Sequence, residues 1–127
     1  MSSKILVVDD EHIIAETVRY IFSAHGYVAE CASSGEEAIA MAEALDPDLL
    51  LSDVMMRGLN GFETALQVKL LCPQCRLLFF SADAGTEALA RTFEKIFADL
   101  GYCYEMLPKP MHPSTLLLTV EKALQAA

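Results

Sequence analysis

Leu49-Leu50-Leu51-Ser52-Asp53-Val54-Met55-Met56-Arg57-Gly58-Leu59-Asn60-Gly61 is the stretch whose reading decides the fold. Three consecutive leucines read as a strand buried on both faces, and Asp53 is the first charge after them. A continuous apolar strand belongs to a parallel sheet with helices on both sides. A carboxylate held at the end of such a strand costs desolvation energy unless a cation, hydrogen-bond donors or chemistry uses it. In doubly wound α/β folds that edge of the sheet is where ligands and reacting groups sit. Asp53 therefore reads as a nucleophile, and the rest of the chain as its support.

Working outward, the pattern alternates between strand and helix. Lys4 to Val8 is a short aliphatic strand ended by Asp9-Asp10-Glu11. From Glu11 to His25 the residues Ile14, Val18, Ile21 and Phe22 recur at helical spacing, and Gly26 closes the helix. Tyr27 to Cys31 reads as a second strand, and Ser34-Gly35-Glu36-Glu37 as a helix start that runs to Leu45 and stops at Asp46-Pro47. Asp48 to Ser52 is the third strand. Phe62, Ala65, Leu66 and Leu70 mark a third helix, ended by Cys72-Pro73. Arg76 to Phe80 is a fourth strand, and Ala84 to Leu100 a helix with Leu89, Phe93, Ile96, Phe97 and Leu100 on one face, capped by Gly101. Tyr102 to Leu107 is a fifth strand ended by Pro108-Lys109-Pro110. Pro113 suits the first turn of a last helix with Leu116, Leu117, Val120 and Leu124 inward. Strands separated by helices imply right-handed parallel crossovers. The expected fold is α/β: a five-stranded parallel sheet with five helices on its two faces, a three-layer sandwich.

Composition narrows the function. The 127 residues fit one domain, expected to occupy 1–127 with no output domain after it. Apolar residues make up 54% of the chain, but charges and turns interrupt them everywhere. No window approaches the roughly 18 uninterrupted apolar residues of a membrane span, nor does the N-terminus resemble a secretory signal. The expectation is a cytoplasmic protein. A net charge of −9 argues against nucleic-acid binding, which needs a basic patch, and suits a cation site or basic partners. Cys72-Pro-Gln-Cys75 lacks the second ligand pair that zinc requires, and it precedes a strand instead of opening a helix as a redox pair would. The four cysteines, Cys31, Cys72, Cys75 and Cys103, read as structural or incidental. His12, His25 and His112 read as surface or capping residues.

The strand ends carry the chemistry. Strand one delivers Asp9 and Asp10, strand three Asp53, strand four Ser81 and strand five Lys109, and in a parallel sheet these ends share one edge. Carboxylates about 4 Å apart repel by roughly 4 kcal/mol per pair at an effective dielectric of about 20, so the cluster needs a counter-cation. Oxygen ligands with open positions suit Mg2+. A carboxylate nucleophile, a metal, a lysine and a hydroxyl together match phosphoryl transfer.

With Val-Val-Asp-Asp-Glu after strand one, Asp-Val-Met-Met and Asn-Gly around Asp53, Ser81 ending strand four and Lys109-Pro110 ending strand five, the whole chain resembles the response-regulator receiver domains of two-component signalling, of the single-domain chemotaxis type. The resemblance implies a doubly wound, flavodoxin-like sheet with strand order 2-1-3-4-5 and Asp53 as the phosphoacceptor. It implies Mg2+ held by Asp10, Asp53 and the backbone carbonyl of Met55, with Asp9 acting through water. Lys109 would bind one phosphoryl oxygen, Ser81 another on switching, and the Lys109–Pro110 peptide would be cis. The donor would be a sensor histidine kinase or phosphotransfer protein, and the readout a separate protein target. The domain would not be an enzyme beyond its own Mg2+-dependent phosphorylation and dephosphorylation.

Three positions depart from the family's usual pattern. Arg57 stands where proline is usual, placing a cation at the rim of the site. Met106 stands where an aromatic switch residue is usual, while Tyr104 lies two residues earlier on the same strand face. Either Met106 moves as a flexible substitute, or Tyr104 takes part, or the coupling is weak. The segment from Ser81 to Lys109 is longer than usual and extends helix four. That helix either forms a dimer or partner surface with strand five and helix five, or only packs into the core. The rival readings are a phosphorylation-independent pseudo-receiver, an aspartyl-phosphate phosphatase of the haloacid-dehalogenase type and a flavin carrier. The phosphatase needs a DxD motif where this chain has Asp9-Asp10-Glu11; the flavin carrier needs a phosphate-cradling loop there.

Overall fold

A computed structural model describes residues 2–81 and 85–126. Its elements run β1 (Lys4–Val8), α1 (His12–Ala24), β2 (Val28–Ala32), α2 (Gly35–Leu45), β3 (Leu49–Asp53), α3 (Gly61–Leu71), β4 (Arg76–Phe80), α4 (Thr86–Leu100), β5 (Tyr104–Leu107) and α5 (Pro113–Gln125). The strands are all parallel, as alternation with helices implies, and lie in the expected order β2-β1-β3-β4-β5. The expected start of the fourth helix at Ala84 lies outside the described residues.

β3 is the middle strand, hydrogen-bonded to β1 on one side and β4 on the other. Leu49, Leu50 and Leu51 are wholly buried, and each leucine withdrawn from water contributes about 1.5–3 kcal/mol. Their alternation feeds two cores. Leu50 joins Leu6, Val8 and Phe79 against Ala38 and Ala42 of α2, Phe62, Ala65 and Val68 of α3 and Phe97 of α4. Leu49 and Leu51 join Ile5, Val7 and Leu78 against Phe22 of α1 and Leu116 and Val120 of α5. Three helices thus cover one face and two the other.

Local chemistry sets the helix ends. The Ser34 hydroxyl accepts from the Glu37 N–H at the start of α2. Asn60 and Glu63 form a reciprocal capping box at the start of α3, each side chain accepting from the other residue's N–H. That cap sets where α3 meets β3, because the Gly61 N–H donates to the Val54 carbonyl at 2.8 Å. A Cβ at Gly61 would collide with the Asp53 carbonyl, so only glycine lets the helix start this close to the strand end.

Several sequence expectations shift. Tyr27 and Tyr102 precede their strands instead of opening them. Each packs edge-on or tilted against a phenylalanine, Tyr27 on Phe22 and Tyr102 on Phe97. Leu70 is not on the inner face of α3 but 71% exposed, and Val68 takes the buried place. On α4 only Phe97 is fully buried among the expected stripe. Leu89 and Phe93 are half-buried, and Ile96 and Leu100 are exposed. Cys72 and Cys75 are core side chains, and burial pushes the Cys75 thiol up to about 12.

Candidate functional site

The C-terminal edge of the sheet gathers the charges. The β1 ladder carries one residue past the strand, where the Asp9 N–H donates to the Ala32 carbonyl at 3.2 Å. Asp9 Oδ1 then accepts from the Glu11 N–H at 2.8 Å, turning the chain into α1. Asp53 is the last residue of β3, paired in register with Phe80. Beyond β5 the chain passes through a cis Lys109–Pro110 peptide. The Lys109 Nζ donates to Asp9 Oδ2 at 2.9 Å and to Asp53 Oδ1 and Oδ2 at 3.0 and 3.1 Å. Carboxylate oxygens of Asp9, Asp10 and Asp53 lie within 4.8 Å of one another.

Asp9 and Asp53 are buried, whereas Asp10 is half-buried. Burial pushes the Asp53 carboxyl up to about 7. The hydrogen bond from Lys109 opposes that shift, and the neighbouring charge of Asp9 adds to it. For Lys109, burial works against the charged form, but its bonds to Asp9 and Asp53 win and raise its pKa. Its Nζ also lies 5.6 Å from the centre of the Phe80 ring, which closes one side of the site. One ammonium against three carboxylates leaves the cluster short of positive charge. The donors are all carboxylate oxygen, the set that hard divalent cations such as Mg2+ prefer.

Of the residues expected at the site, the fold brings Asp9, Asp10, Asp53 and Lys109 together. Met55 lies in the turn after β3, and its methyl group approaches Gly85 at the start of α4. Ser81 follows the last residue of β4, and its N–H and Oγ–H both donate to the Leu107 carbonyl, at 2.9 and 3.2 Å. Tyr104 and Met106 do share one face of β5, half-buried on the α4 side. The Tyr104 ring lies 5.1 Å from Phe97, 5.8 Å from Phe79 and 6.0 Å from Phe62. The histidines cap or edge helices: His25 Nδ1 lies 2.8 Å from the Ile21 carbonyl, and His112 Nδ1 accepts from the Ser114 N–H.

Sequence reading missed two features. The capping box that seats α3 beneath Asp53 was signalled by Asn60-x-x-Glu63. Arg57 signals a cation at the rim of the site, but its partner Asp10 lies 47 residues away and is not encoded locally.

A match to the response regulator receiver domain family spans residues 5–121. This chain belongs to that family. Response regulator MprA of Mycobacterium ulcerans is 35% identical over 126 residues, which is 98% of this chain and 51% of that protein. The alkaline phosphatase synthesis transcriptional regulatory protein PhoP of Bacillus subtilis is 43% identical over 79 residues, covering 62% of this chain and 31% of the relative. The chain spans about half the length of MprA and less of PhoP. The solved structure of the chemotaxis protein CheY4 of Vibrio cholerae superposes with a TM-score of 0.81 at 29% identity, over 97% of this chain and 99% of that one. Family membership favours a signalling receiver over the flavin-carrier and phosphatase readings. Among the described residues, no helix of the receiver domain is long and apolar enough to cross a membrane.

Proposed function

We propose that this receiver domain is the phosphoacceptor of a two-component relay and that Asp53 is the residue that takes the phosphoryl group. The observation that carries the reading is the buried Asp53 carboxylate, set between an acid pair and the Lys109 ammonium at the open edge of the sheet. An Asp53 oxygen attacks phosphorus in line. The bond from phosphorus to the donor's imidazole nitrogen breaks, and that nitrogen keeps the electron pair. Lys109, already bonded to Asp9 and Asp53, follows the new negative charge onto a phosphoryl oxygen without leaving Asp9. Asp10, Asp53, the Met55 carbonyl and, through water, Asp9 would hold Mg2+, which neutralises charge on the phosphoryl oxygens when bound.

The donor is a histidine kinase or a phosphotransfer protein. Ser81 reports the reaction by giving up the Leu107 carbonyl for a phosphoryl oxygen, which loosens the contact between β4 and β5. Tyr104 and Met106 stand on the α4 side of the strand that would feel this change. The surface of α4, β5 and α5 then serves as the output face toward a protein target or a second copy. It offers exposed Ile96 and Leu100 on α4 and Leu118 on α5.

Incubation with acetyl phosphate and Mg2+, read by intact mass, tests the chemistry. The wild type gains one phosphoryl group, and the gain disappears with a chelator and in Asp53→Ala. An unchanged wild-type mass would instead support a phosphorylation-independent interaction module.

A further inference from the structure

One charged side chain touches the acid cluster without holding it together. Arg57 is 89% exposed on the turn after β3, yet its Nε lies 3.6 Å from Asp10 Oδ2, and its backbone N–H donates to the same oxygen at 3.3 Å. Lys109 serves Asp9 and Asp53 and does not reach Asp10. Among the described residues, the only ion pair that Asp10 makes is with Arg57. The cation on the outermost acid is therefore tethered to a surface loop, followed by a Gly58 in the left-handed region that lets the turn bend there.

Formal charge shows what this pairing does. Three carboxylates and one ammonium leave two negative charges, which a divalent cation cancels. A guanidinium still seated on Asp10 would then be an unmatched positive charge beside a dication. We propose that Arg57 is a tethered competitor for the divalent cation: its guanidinium occupies the outer oxygen of Asp10 and has to leave for the cation to load. This rests on the reading that the acid cluster takes Mg2+. Because Arg57 is so exposed, its release costs little, and the competition is modest and sensitive to salt. Phosphorylation changes the balance. The one charge of the Asp53 carboxylate is replaced by the two of a phosphoryl group, so a nearby guanidinium is no longer in excess. Arg57 thus weakens the metal before phosphoryl transfer and not after it.

Isothermal titration of the full chain with MgCl2 tests this, using wild type, Arg57→Gln, Arg57→Lys and Asp10→Asn. The Arg57→Gln protein is expected to bind Mg2+ about two- to fivefold more tightly than wild type near 0.1 M salt, as an exposed ion pair allows. Arg57→Lys should stay near wild type. The gap should close at about 1 M salt, where screening shortens to a few ångströms. It should also close when beryllium fluoride stands in for the phosphoryl group. Equal affinities of wild type and Arg57→Gln, or Arg57→Lys binding as tightly as Arg57→Gln, overturn the competitor and leave the Mg2+ site standing. No saturable binding in wild type, with the same trace for Asp10→Asn, overturns the Mg2+ reading and the competitor with it.

Discussion

The reactive edge of the sheet and the aromatic face beneath α4 are held in opposite ways. At the edge, the carboxyls of Asp9 and Asp53 are kept from water beside half-buried Lys109, and like charges sit closer than they would choose. Beneath α4, Phe62 touches Phe79, Phe93, Phe97 and Tyr104 with ring centres 4.7 to 6.0 Å apart, an apolar stack of rings. The edge is organised around charge and is stabilised by whatever removes a negative one. The aromatic face is organised around volume and loses stability when a packed ring is removed. Removing a negative charge from the edge and removing volume from the aromatic face should therefore have opposite signs.

The largest effect belongs to the aromatic face. Phe62→Ala is expected to cost about 3–5 kcal/mol in urea unfolding, since the ring is wholly buried and its neighbours cannot all collapse into the gap. A loss below about 1 kcal/mol would mean that this face is not the packed unit described.

At the edge, Lys109→Ala removes the one ammonium that Asp9 and Asp53 share. With chelator present it should cost about 2 kcal/mol, and Mg2+ should restore most of the loss. A loss that Mg2+ does not repair would assign Lys109 to packing against Phe80 instead.

Asp53→Asn should go the other way. The Asp53 carboxyl rises in the fold from 3.8 to about 7, so the stability of its protonated form is full below pH 3.8 and lost as pH climbs through 7. Replacing it with a neutral amide removes that loss. Without metal, the variant should be more stable than wild type by about 1–2 kcal/mol at pH 7.5 and about equal to it at pH 4. Destabilisation at pH 7.5 would contradict the electrostatic account of the edge.

The smallest effect is expected at Tyr104→Phe, within about 0.5 kcal/mol, because the contacts this residue makes with Phe62, Phe79 and Phe97 are ring contacts. A larger loss would give the hydroxyl a role that packing does not.

The same contrast explains what the sequence made legible. Leu49 to Leu51 could be read because an unbroken apolar run has few homes. Asp9, Asp53 and Lys109 could be read because each is the first charge at its strand end, and Asp10 because it stands beside Asp9. Parallel pairing then brings these charges to one edge. The inner face of α4 was less legible. Helical spacing placed Ile96 and Leu100 on it, but the buried stripe narrows to Phe97. Leu70 misled in the same way near the end of α3, where Val68 makes the core contact. Tyr27 and Tyr102 looked like strand residues because aromatic side chains favour strands, yet they pack in the turns before them. Arg57 on Asp10 and Ser81 on the Leu107 carbonyl are contacts between loops and strand ends distant in sequence, which no local pattern encodes.

Asp53 as carrier of the phosphoryl group is tested most directly by trapping the acyl phosphate. Borohydride reduces an aspartyl phosphate to homoserine and leaves a free carboxylate untouched, so tandem mass spectrometry after acetyl phosphate, Mg2+ and borohydride reads the acceptor residue by residue. The account predicts homoserine at position 53 and nowhere else. Intact aspartate at 53, or homoserine at Asp9 or Asp10, would contradict it.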